Sequence, residues 1–426
     1  MIDEAKKKRL DIYAEALKFH AAAPAGKIQI THKPINSIED LSKAYSPGVA
    51  APCLEIQKDP NNAYLYTGKA NSLIVASNGT AVLGLGDIGA DAAQPVMEGK
   101  AALFNSFGKI NAINMEVRTK DPKKFIETIA LIAESWGGVN LEDIKAPECF
   151  EIEKALKEKL SIPVFHDDQH GTAIVILAAL LNACEITKRD PKKLRIVVSG
   201  AGAAALSTVN LITSYGIPKE NIVLCDLTGI LYKGRENVAD YKIPYLADTK
   251  ARTLQEALKG ADMFIGLSAK DALPQEYLKD MAPSPLIFAL ANPDPEIRPE
   301  LVYEARPDAI VATGRSDYAN QINNLLCFPY IFRGALDTRS KAINIEMKLA
   351  AANAIAQLAK EEISEQVRNI FHNSTIQRKS LEYGKEYIVP STFDRRLFNR
   401  VSKAVAQAAI DSGVARIIPD LSKIYG

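Results

Sequence analysis

Two pairs of acidic residues stand where two short apolar runs end. Glu142 and Asp143 follow the run VN in VNLEDIK, and Asp167 and Asp168 follow IPVF in PVFHDDQHGT. Bringing four carboxylates together is unfavourable unless a cation lies between them. No cysteine pair in the sequence has zinc-type spacing, so the donor set is rich in oxygen and suits Mg²⁺ or Mn²⁺. The acids could instead be solvated helix caps, since aspartate often precedes a helix.

A glycine-rich turn later in the chain has the pattern of a dinucleotide-binding loop. It follows the apolar run LRIVVSG, opens an uncharged helical segment, and precedes the run NIVLCD, which ends at Asp226. Small residues allow a tight turn, a helix N-terminus favours phosphate, and the acid can bind ribose hydroxyls. The turn consists of Gly200, Ala201, Gly202, Ala203, Ala204 and Ala205. A strand-to-helix turn that binds nothing is the alternative.

An earlier segment matches the pattern G-x-G-x-x-G to the letter, with Gly84, Gly86 and Gly89. It places Asp87 where the negatively charged pyrophosphate would have to lie, so repulsion argues against dinucleotide binding there. We expect these glycines to shape the floor of the other site instead.

Two upstream residues could transfer protons. Tyr45 precedes the turn SPG, which would present its ring rather than bury it. Lys100 lies among small and apolar residues near the start of a predicted helix, where partial burial would lower its pKa toward the range of a general base. A core tyrosine and a solvated surface lysine are the alternatives.

Three asparagines form a further candidate group. Asn292 follows an apolar run in ALANPDPE, and Asn323 and Asn324 lie in NQINNLLCFP. Uncharged amides at the carboxyl edge of a parallel sheet can hydrogen-bond a small carboxylate. They could equally be turn residues and caps.

Composition narrows the class of protein. The 426 residues suggest two or three domains, and the near balance of 52 basic and 51 acidic residues predicts neither nucleic acid nor an anionic membrane as a partner. The five scattered cysteines fit reduced thiols in a cytoplasmic protein, and the N-terminal segment lacks the apolar block of a signal peptide. The longest apolar run, Ala173 to Leu181, is far shorter than the roughly 20 residues that span a bilayer.

The elements that must position these residues fall into three parts. Residues 1–164 mix helices with short strands such as SLIVAS, AVLGLG and INAINMEV, which predicts an α/β domain for catalysis and substrate. Residues 165–340 begin with an apolar helix from about Thr172 and continue with strands at βαβ spacing, which predicts a Rossmann-type, doubly wound parallel sheet that binds the dinucleotide. Residues 341–426 predict a helical C-terminal segment that packs back on the first domain.

Taken together, these stretches resemble the malic enzymes, which oxidatively decarboxylate L-malate to pyruvate and CO₂ with NAD or NADP and a divalent metal. The matching segments keep the family's order and cover most of the chain from Tyr45 to Arg396. They are KAYSPGVAAPC, SNGTAVLGLGDIGADAAQPVMEGKAALF, GGVNLEDIKAPECFEIE, FHDDQHGTA, SGAGAAAL, ANPDPEI, GRSDYANQINN and YIVPSTFDRRL. The length resembles the short bacterial and archaeal forms, which implies a homodimer.

The resemblance also implies a role for each candidate residue. Tyr45 would protonate the enol carbon, Lys100 would bind malate and take its C2 hydroxyl proton, and Asp167 would tune Lys100. The metal ligands would be Glu142, Asp143 and Asp168. Asn292 with Asn323 or Asn324 would hold malate. The residues implied for NAD or NADP are the turn from Gly200 to Ala205, Asp226, Lys242 and Asn292.

Two departures from the family pattern stand out. Thr80 replaces the arginine that larger members carry before GLGD to hold substrate, and residues 362–381 look like an extension. Coenzyme choice stays open, because Asp226 would repel the extra phosphate of NADP whereas Lys242 would attract it. This balance predicts use of both coenzymes.

Two rival functions remain. A non-decarboxylating 2-hydroxy-acid or amino-acid dehydrogenase would share the glycine turn but would need neither the acid pairs nor Tyr45. A nucleotide-sensing scaffold is expected to lack Lys100, Tyr45 or one of the acids, and all of them are present.

Overall fold

The fold is described from a computed structural model, which covers residues 15–19, 27, 33–82, 84–372 and 380–426. Two largely parallel sheets organise the chain, with helices between the strands. The predicted α/β class, with a Rossmann-type sheet and a helical C-terminal part, is confirmed.

The first sheet has four parallel strands in the order β2-β1-β3-β4. The strands are β1 (Ser72–Ser77), β2 (Asn111–Glu116), β3 (Val139–Leu141) and β4 (Val164–His166). The helices of this region are α1 (Ile38–Ala44), α2 (Ala50–Lys58), α3 (Ala63–Tyr66), α4 (Ala90–Gly108), α5 (Pro122–Ala133) and α6 (Glu148–Lys159). β1 is buried on both faces, as its continuous apolar sequence predicts for a central parallel strand. β4 extends the sheet to His166, two residues past the proposed domain boundary.

The segment AVLGLG is not a strand, so that expectation was wrong. Val82 pairs with Gly86 only through an isolated bridge, and the N–H groups of Leu85 and Gly86 both donate to the Val82 carbonyl, as in a turn. Gly84 and Gly86 have φ angles of 69° and 76°, a region that glycine enters without a steric cost. The alternation of apolar residues with glycine therefore marks a tight turn.

The second sheet has six strands in the order β10-β9-β8-β5-β6-β7, and only β7 is antiparallel. The strands are β5 (Ile196–Ser199), β6 (Ile222–Asp226), β7 (Gly229–Ile230), β8 (Met263–Gly266), β9 (Leu286–Ala289) and β10 (Ile310–Thr313). The helices here are α8 (Ala203–Tyr215), α9 (Leu254–Leu258) and α10 (Pro299–Ala305). Because β5 lies between β6 and β8, the sheet grows outward in both directions and leaves a crevice at the carboxyl end of β5.

Helix α7 (Asp167–Ile186) links the two sheets and starts at Asp167, five residues before the predicted Thr172. It is long and apolar enough to cross a membrane by length and composition, yet 72% of its most apolar window is buried inside the protein. It packs against α8 and against α12 (Ile345–Leu358) as a core helix does.

The C-terminal part is helical, as expected. Besides α12 it contains α13 (Glu365–His372), α14 (Arg396–Asp411) and α15 (Leu421–Tyr425), and α11 (Phe328–Asp337) precedes it. The Phe393 ring lies 6.1 Å from that of Phe107, and Lys109 Nζ lies 4.6 Å from the centre of the Phe398 ring. These contacts support the proposal that the segment packs back on the first domain. Within the suspected extension 362–381, residues 373–379 lie outside the described residues.

Candidate active site

A cleft of about 540 Å³ opens between the carboxyl ends of the two sheets. It is lined by the turn at Gly84 and Gly86, the segment after β3, the start of α7 and the N-terminus of α8. The candidate residues that line it are Asp143, Asp168, Gly202, Ala203, Ala204, Ala205, Asn292, Asn323 and Asn324. Gly84 and Gly86, two of the three glycines of the G-x-G-x-x-G segment, thus border the cleft, as the sequence predicted.

The two acid pairs lie close together because β3 and β4 are neighbouring parallel strands. The residues that follow these strands therefore share one edge of the sheet. Ligand atoms of Glu142, Asp143 and Asp168 lie within 4.8 Å of one another. The Asp143 N–H donates to Asp168 Oδ2 at 2.8 Å, and Asp143 has a φ of 52°, in the left-handed region that non-glycine residues rarely occupy. We call Glu142, Asp143, Asp167 and Asp168 the acid cluster.

The acid cluster is short of positive charge. Burial and the charge of Asp168 raise the pKa of Glu142 well above its usual range and that of Asp143 to about 8. Buried Asp143 Oδ2 also has no hydrogen-bond partner. Converging carboxylates with an unpartnered oxygen are the donor set of a hard divalent cation, so these residues fit Mg²⁺ or Mn²⁺.

Lys100 is the cation within this cluster. It is 8% exposed, and its Nζ lies 2.8 Å from Glu142 Oε1 and 2.5 Å from Asp167 Oδ2. Burial lowers the pKa of Lys100, but Asp167, Glu142 and Asp168 outweigh burial and raise that pKa above its ordinary value. The expected lowering was therefore wrong for the metal-free protein, because the sequence indicated the burial but not the adjoining carboxylates.

Asp167 connects Lys100 to the second half of the chain. It is fully buried, burial raises its pKa to about 6, and Asn324 Nδ2 donates to its Oδ2 at 2.5 Å. A Cβ at Gly171, one turn further along α7, would lie 1.9 Å from Asp167 Oδ1, so any larger residue there would displace the Asp167 side chain. Asp167 thus fixes Lys100 relative to Asn324.

The glycine turn has the geometry of a phosphate-binding loop. Gly200 has a φ of 120°, and a Cβ there would lie 2.3 Å from the Leu267 carbonyl oxygen. Gly202 is the N-cap of α8, whose N-terminus faces the cleft through residues 203–205. Backbone N–H groups and the helix dipole at this point favour an anion.

Asp226, at the end of β6, is held by two cations. Arg235 Nη2 lies 2.8 Å and Lys242 Nζ 2.9 Å from its carboxylate oxygens. Burial opposes ionisation, but hydrogen bonds from Lys242, Arg235 and Thr228 hold the pKa of Asp226 at about 2. The group carries a net positive charge. The sequence analysis did not identify Arg235. The only indication of its role in the sequence is that it is a basic residue in the loop after Asp226.

The asparagines differ in their contacts. Asn292 Nδ2 donates to the Leu290 carbonyl at 3.3 Å, beside the cleft. Asn323 Oδ1 accepts the Leu325 N–H at 2.9 Å and so caps a short helical turn, as the alternative interpretation held. Asn324 points to Asp167.

Neither Tyr45 nor Thr80 lines the cleft itself. Tyr45 is 70% exposed, as the turn predicted, but does not line the cleft. Thr80 is buried, donates to Asn78 Oδ1 at 2.7 Å and accepts the Lys145 N–H at 3.1 Å.

One buried carboxylate had no signal in the sequence. Glu296 is 0% exposed and accepts the backbone N–H groups of Ser268 at 2.8 Å and Ala291 at 3.0 Å. It therefore ties together the chain segments that follow β8 and β9 at the wall of the cleft.

The fold and the site define a protein with two sheets, in which a Rossmann-type crevice opens beside an acid cluster suited to a divalent cation. The sequence matches the family profiles "Malic enzyme, NAD binding domain" over residues 169–385 and "Malic enzyme, N-terminal domain" over residues 26–124. The chain therefore belongs to the malic enzyme family.

Similar proteins agree with this membership. An NADP-dependent malic enzyme of Halomonas elongata is 52% identical, over 94% of this chain and 94% of that protein. An NADP-dependent malic enzyme of Salmonella typhimurium is 55% identical over 94% of this chain, which spans only 52% of that relative's length. The crystal structure of malic enzyme from Pyrococcus horikoshii superposes with a TM-score of 0.86 at 40% identity, over 97% of this chain and 94% of that one.

Proposed function

We propose that the protein oxidatively decarboxylates L-malate to pyruvate and CO₂, with NAD or NADP as oxidant and Mg²⁺ or Mn²⁺ as cofactor. The observation that carries the proposal is the position of Lys100 within the acid cluster, beside a dinucleotide crevice. The names of the similar proteins support it.

Glu142, Asp143 and Asp168 would hold the divalent ion. When bound, such an ion supplies positive charge that stabilises the negative charge developing on substrate oxygen. The residues contribute a buried, pre-assembled set of oxygens, and Asn140 Nδ2 orients Glu142 by donating to its Oε2 at 2.7 Å.

Lys100 is proposed to accept the proton of the malate C2 hydroxyl at Nζ, and a bound dinucleotide would supply the acceptor for the C2 hydride. Asp167 holds the ammonium in place, and Asn324 in turn donates a hydrogen bond to Asp167. In the metal-free protein, carboxylates raise the pKa of Lys100. Neutralising part of their charge would remove part of that effect, lower the pKa of Lys100 and increase the fraction of Nζ that is unprotonated and able to accept a proton.

We further propose a homodimer in which Tyr45 of one copy completes the site of the other and protonates the enol carbon. Tyr45 does not line the cleft of its own chain. It lies on a surface whose large apolar side chains are exposed and which contains no buried residue in α1, α2 or α3. The exposed side chains are Ile38, Leu41, Leu54, Leu65 and Tyr66. A surface of this composition favours association with another protein surface.

The proposed coenzyme site accepts both NAD and NADP. Asp226 can bind the ribose hydroxyls of NAD, whereas Arg235 and Lys242 together offer more positive charge than Asp226 neutralises and can bind the additional phosphate of NADP.

The function is tested by incubating the protein with L-malate, Mn²⁺ and either coenzyme while following reduced nicotinamide and pyruvate together. We expect equimolar products, and no turnover after chelation of the metal. Oxaloacetate accumulating in place of pyruvate, or turnover in the presence of chelator, would favour a non-decarboxylating dehydrogenase.

A further inference from the structure

The cleft contains more negative than positive charge. Lys145 is the only basic side chain among the described residues that line it. Even with a divalent ion and Lys100 counted, the four carboxylates of the acid cluster exceed the positive charges. A dianionic substrate would increase the excess, so a further cation at the wall would favour its binding.

Lys145 is placed at that wall by contacts between two distant segments. Its N–H donates to Thr80 Oγ1 at 3.1 Å, and the Ala81 N–H donates to the Asp143 carbonyl at 3.0 Å. Residues 80–81 and 143–145 are thereby tied side by side. Larger members of the family are expected to carry a substrate-binding arginine at the position of Thr80. In this chain Thr80 instead positions the backbone of Lys145.

The side chain of Lys145 is free to take an anionic partner. It is 43% exposed, and its partner in the protein is Glu148 at 3.7 Å, in a half-exposed pair three residues apart. Such pairs contribute little stability, so a substrate carboxylate can replace Glu148 at small cost.

We infer that Lys145 binds the C1 carboxylate of the substrate and is a specificity-determining residue for it, an inference that rests on the proposed function. C1 is favoured over C4 by chemistry, because C4 leaves as neutral CO₂. A cation on the C4 carboxylate would bind the ground state more strongly than the transition state and slow the reaction. Lys145 also lies two residues from Asp143, on the side of the cleft that would hold the reacting C2 oxygen.

Pyruvate distinguishes binding of the C1 carboxylate from binding of the C4 carboxylate, since it retains C1 and lacks C4. We expect Lys145→Gln to raise the KM for malate, and the KM for pyruvate in the reductive direction, by roughly 10- to 100-fold, the usual worth of a charge-assisted hydrogen bond. The KM for the coenzyme and the Mn²⁺ dissociation constant, measured by electron paramagnetic resonance, should not change. Lys145→Arg should recover most of the affinity.

Lys423→Gln is the matched control, because Lys423 forms a similar pair with Asp420 three residues away at 3.4 Å and lies outside the cleft. Thr80→Val should raise both KM values by a smaller factor than Lys145→Gln, and Thr80→Ser, which retains the hydroxyl, by less still. An unchanged malate KM in Lys145→Gln would overturn the inference, and a raised malate KM with an unchanged pyruvate KM would overturn the C1 assignment. Wild-type protein that makes no pyruvate would instead contradict the proposed function.

Discussion

Two aspartates in this protein follow parallel strands yet have opposite electrostatic surroundings. Burial and neighbouring carboxylates raise the pKa of Asp143, after β3, to about 8. At the end of β6, hydrogen bonds from Lys242 and Arg235 overcome burial and hold the pKa of Asp226 at about 2. The residue type and its place at a strand end are shared, so the neighbours decide what each site can bind.

The difference indicates opposite ligands. The first site has four carboxylates and one buried lysine, so it lacks positive charge and fits a cation. The second has one carboxylate and two cations, so it carries excess positive charge and fits a phosphate. Two sites of opposite sign on one cleft are what a metal ion and a dinucleotide require.

The largest effect is expected from removing the proton-transfer groups. Tyr45→Phe and Lys100→Met should each lose roughly 10²- to 10⁴-fold in turnover. If Tyr45 acts across the proposed dimer, mixing and reassociating the two inactive variants should restore about one quarter of wild-type activity, because half of the dimers are hybrids with one intact site. Homodimers of each variant, treated identically, are the controls. No recovery, despite exchange of subunits, would place Tyr45 and Lys100 in the same chain's site.

A smaller effect is expected at the positively charged site. Lys242→Gln removes a cation from Asp226 and should raise the KM for NADP by about 10-fold, with less than about a threefold change for NAD. Lys233→Gln is the control, since Lys233 lies in the same loop but pairs with Asp248 at 3.3 Å and is 67% exposed. Steady-state kinetics with both coenzymes decide the point. Equal changes for NAD and NADP would mean that Lys242 does not discriminate between them.

The smallest expected effect is on stability. Asp143 retains its proton in the folded state up to about pH 8, whereas in the unfolded chain it loses the proton near its usual pKa of 3.8. Between these values the folded state binds more protons, so the free energy of unfolding of the metal-free protein should fall as pH rises through that window.

Thermal unfolding in the presence of chelator at pH 5.5 and pH 8.5 measures this effect. The Tm of the wild type should fall by about 2–4 °C more than that of Asp143→Asn, which has no carboxyl group to titrate there. Saturating Mn²⁺ should reduce the difference between the two pH values. The same pH dependence in both proteins would show that Asp143 is not held protonated.

Local patterns in the sequence predicted much of the fold and site. The turn at Gly200 and the acid pairs are recognisable because each lies within a few residues of the strand that positions it. The segment AVLGLG was wrongly predicted to be a strand, since its glycines adopt positive φ angles and turn the chain.

Features that depend on distant residues could not be foreseen from local patterns, and only the family resemblance implied that Asp167 acts on Lys100. Lys100 and Asp167 are 67 residues apart, and Thr80 and Lys145 are 65 apart. Lys100 lies on α4 and Asp167 begins α7, so their contact follows from the tertiary fold, whereas that of Thr80 with Lys145 follows from the arrangement of loops at the sheet edge. The raised pKa of Lys100 depends on such a contact, so residue type and predicted burial gave the wrong direction.

We propose that the acid cluster, and not Asp226 at the end of β6, holds the divalent metal. The decisive experiment is to titrate chelator-treated protein with Mn²⁺ and to follow the free ion by electron paramagnetic resonance. We expect one tight Mn²⁺ per chain in the wild type and in Asp226→Asn. Loss of a residue that only orients a metal ligand lowers metal affinity by roughly 10- to 100-fold. Because Asp168 is proposed as a ligand itself, the Mn²⁺ affinity of Asp168→Asn should fall by more than this. Unchanged Mn²⁺ affinity in Asp168→Asn, or its loss in Asp226→Asn, would contradict the assignment.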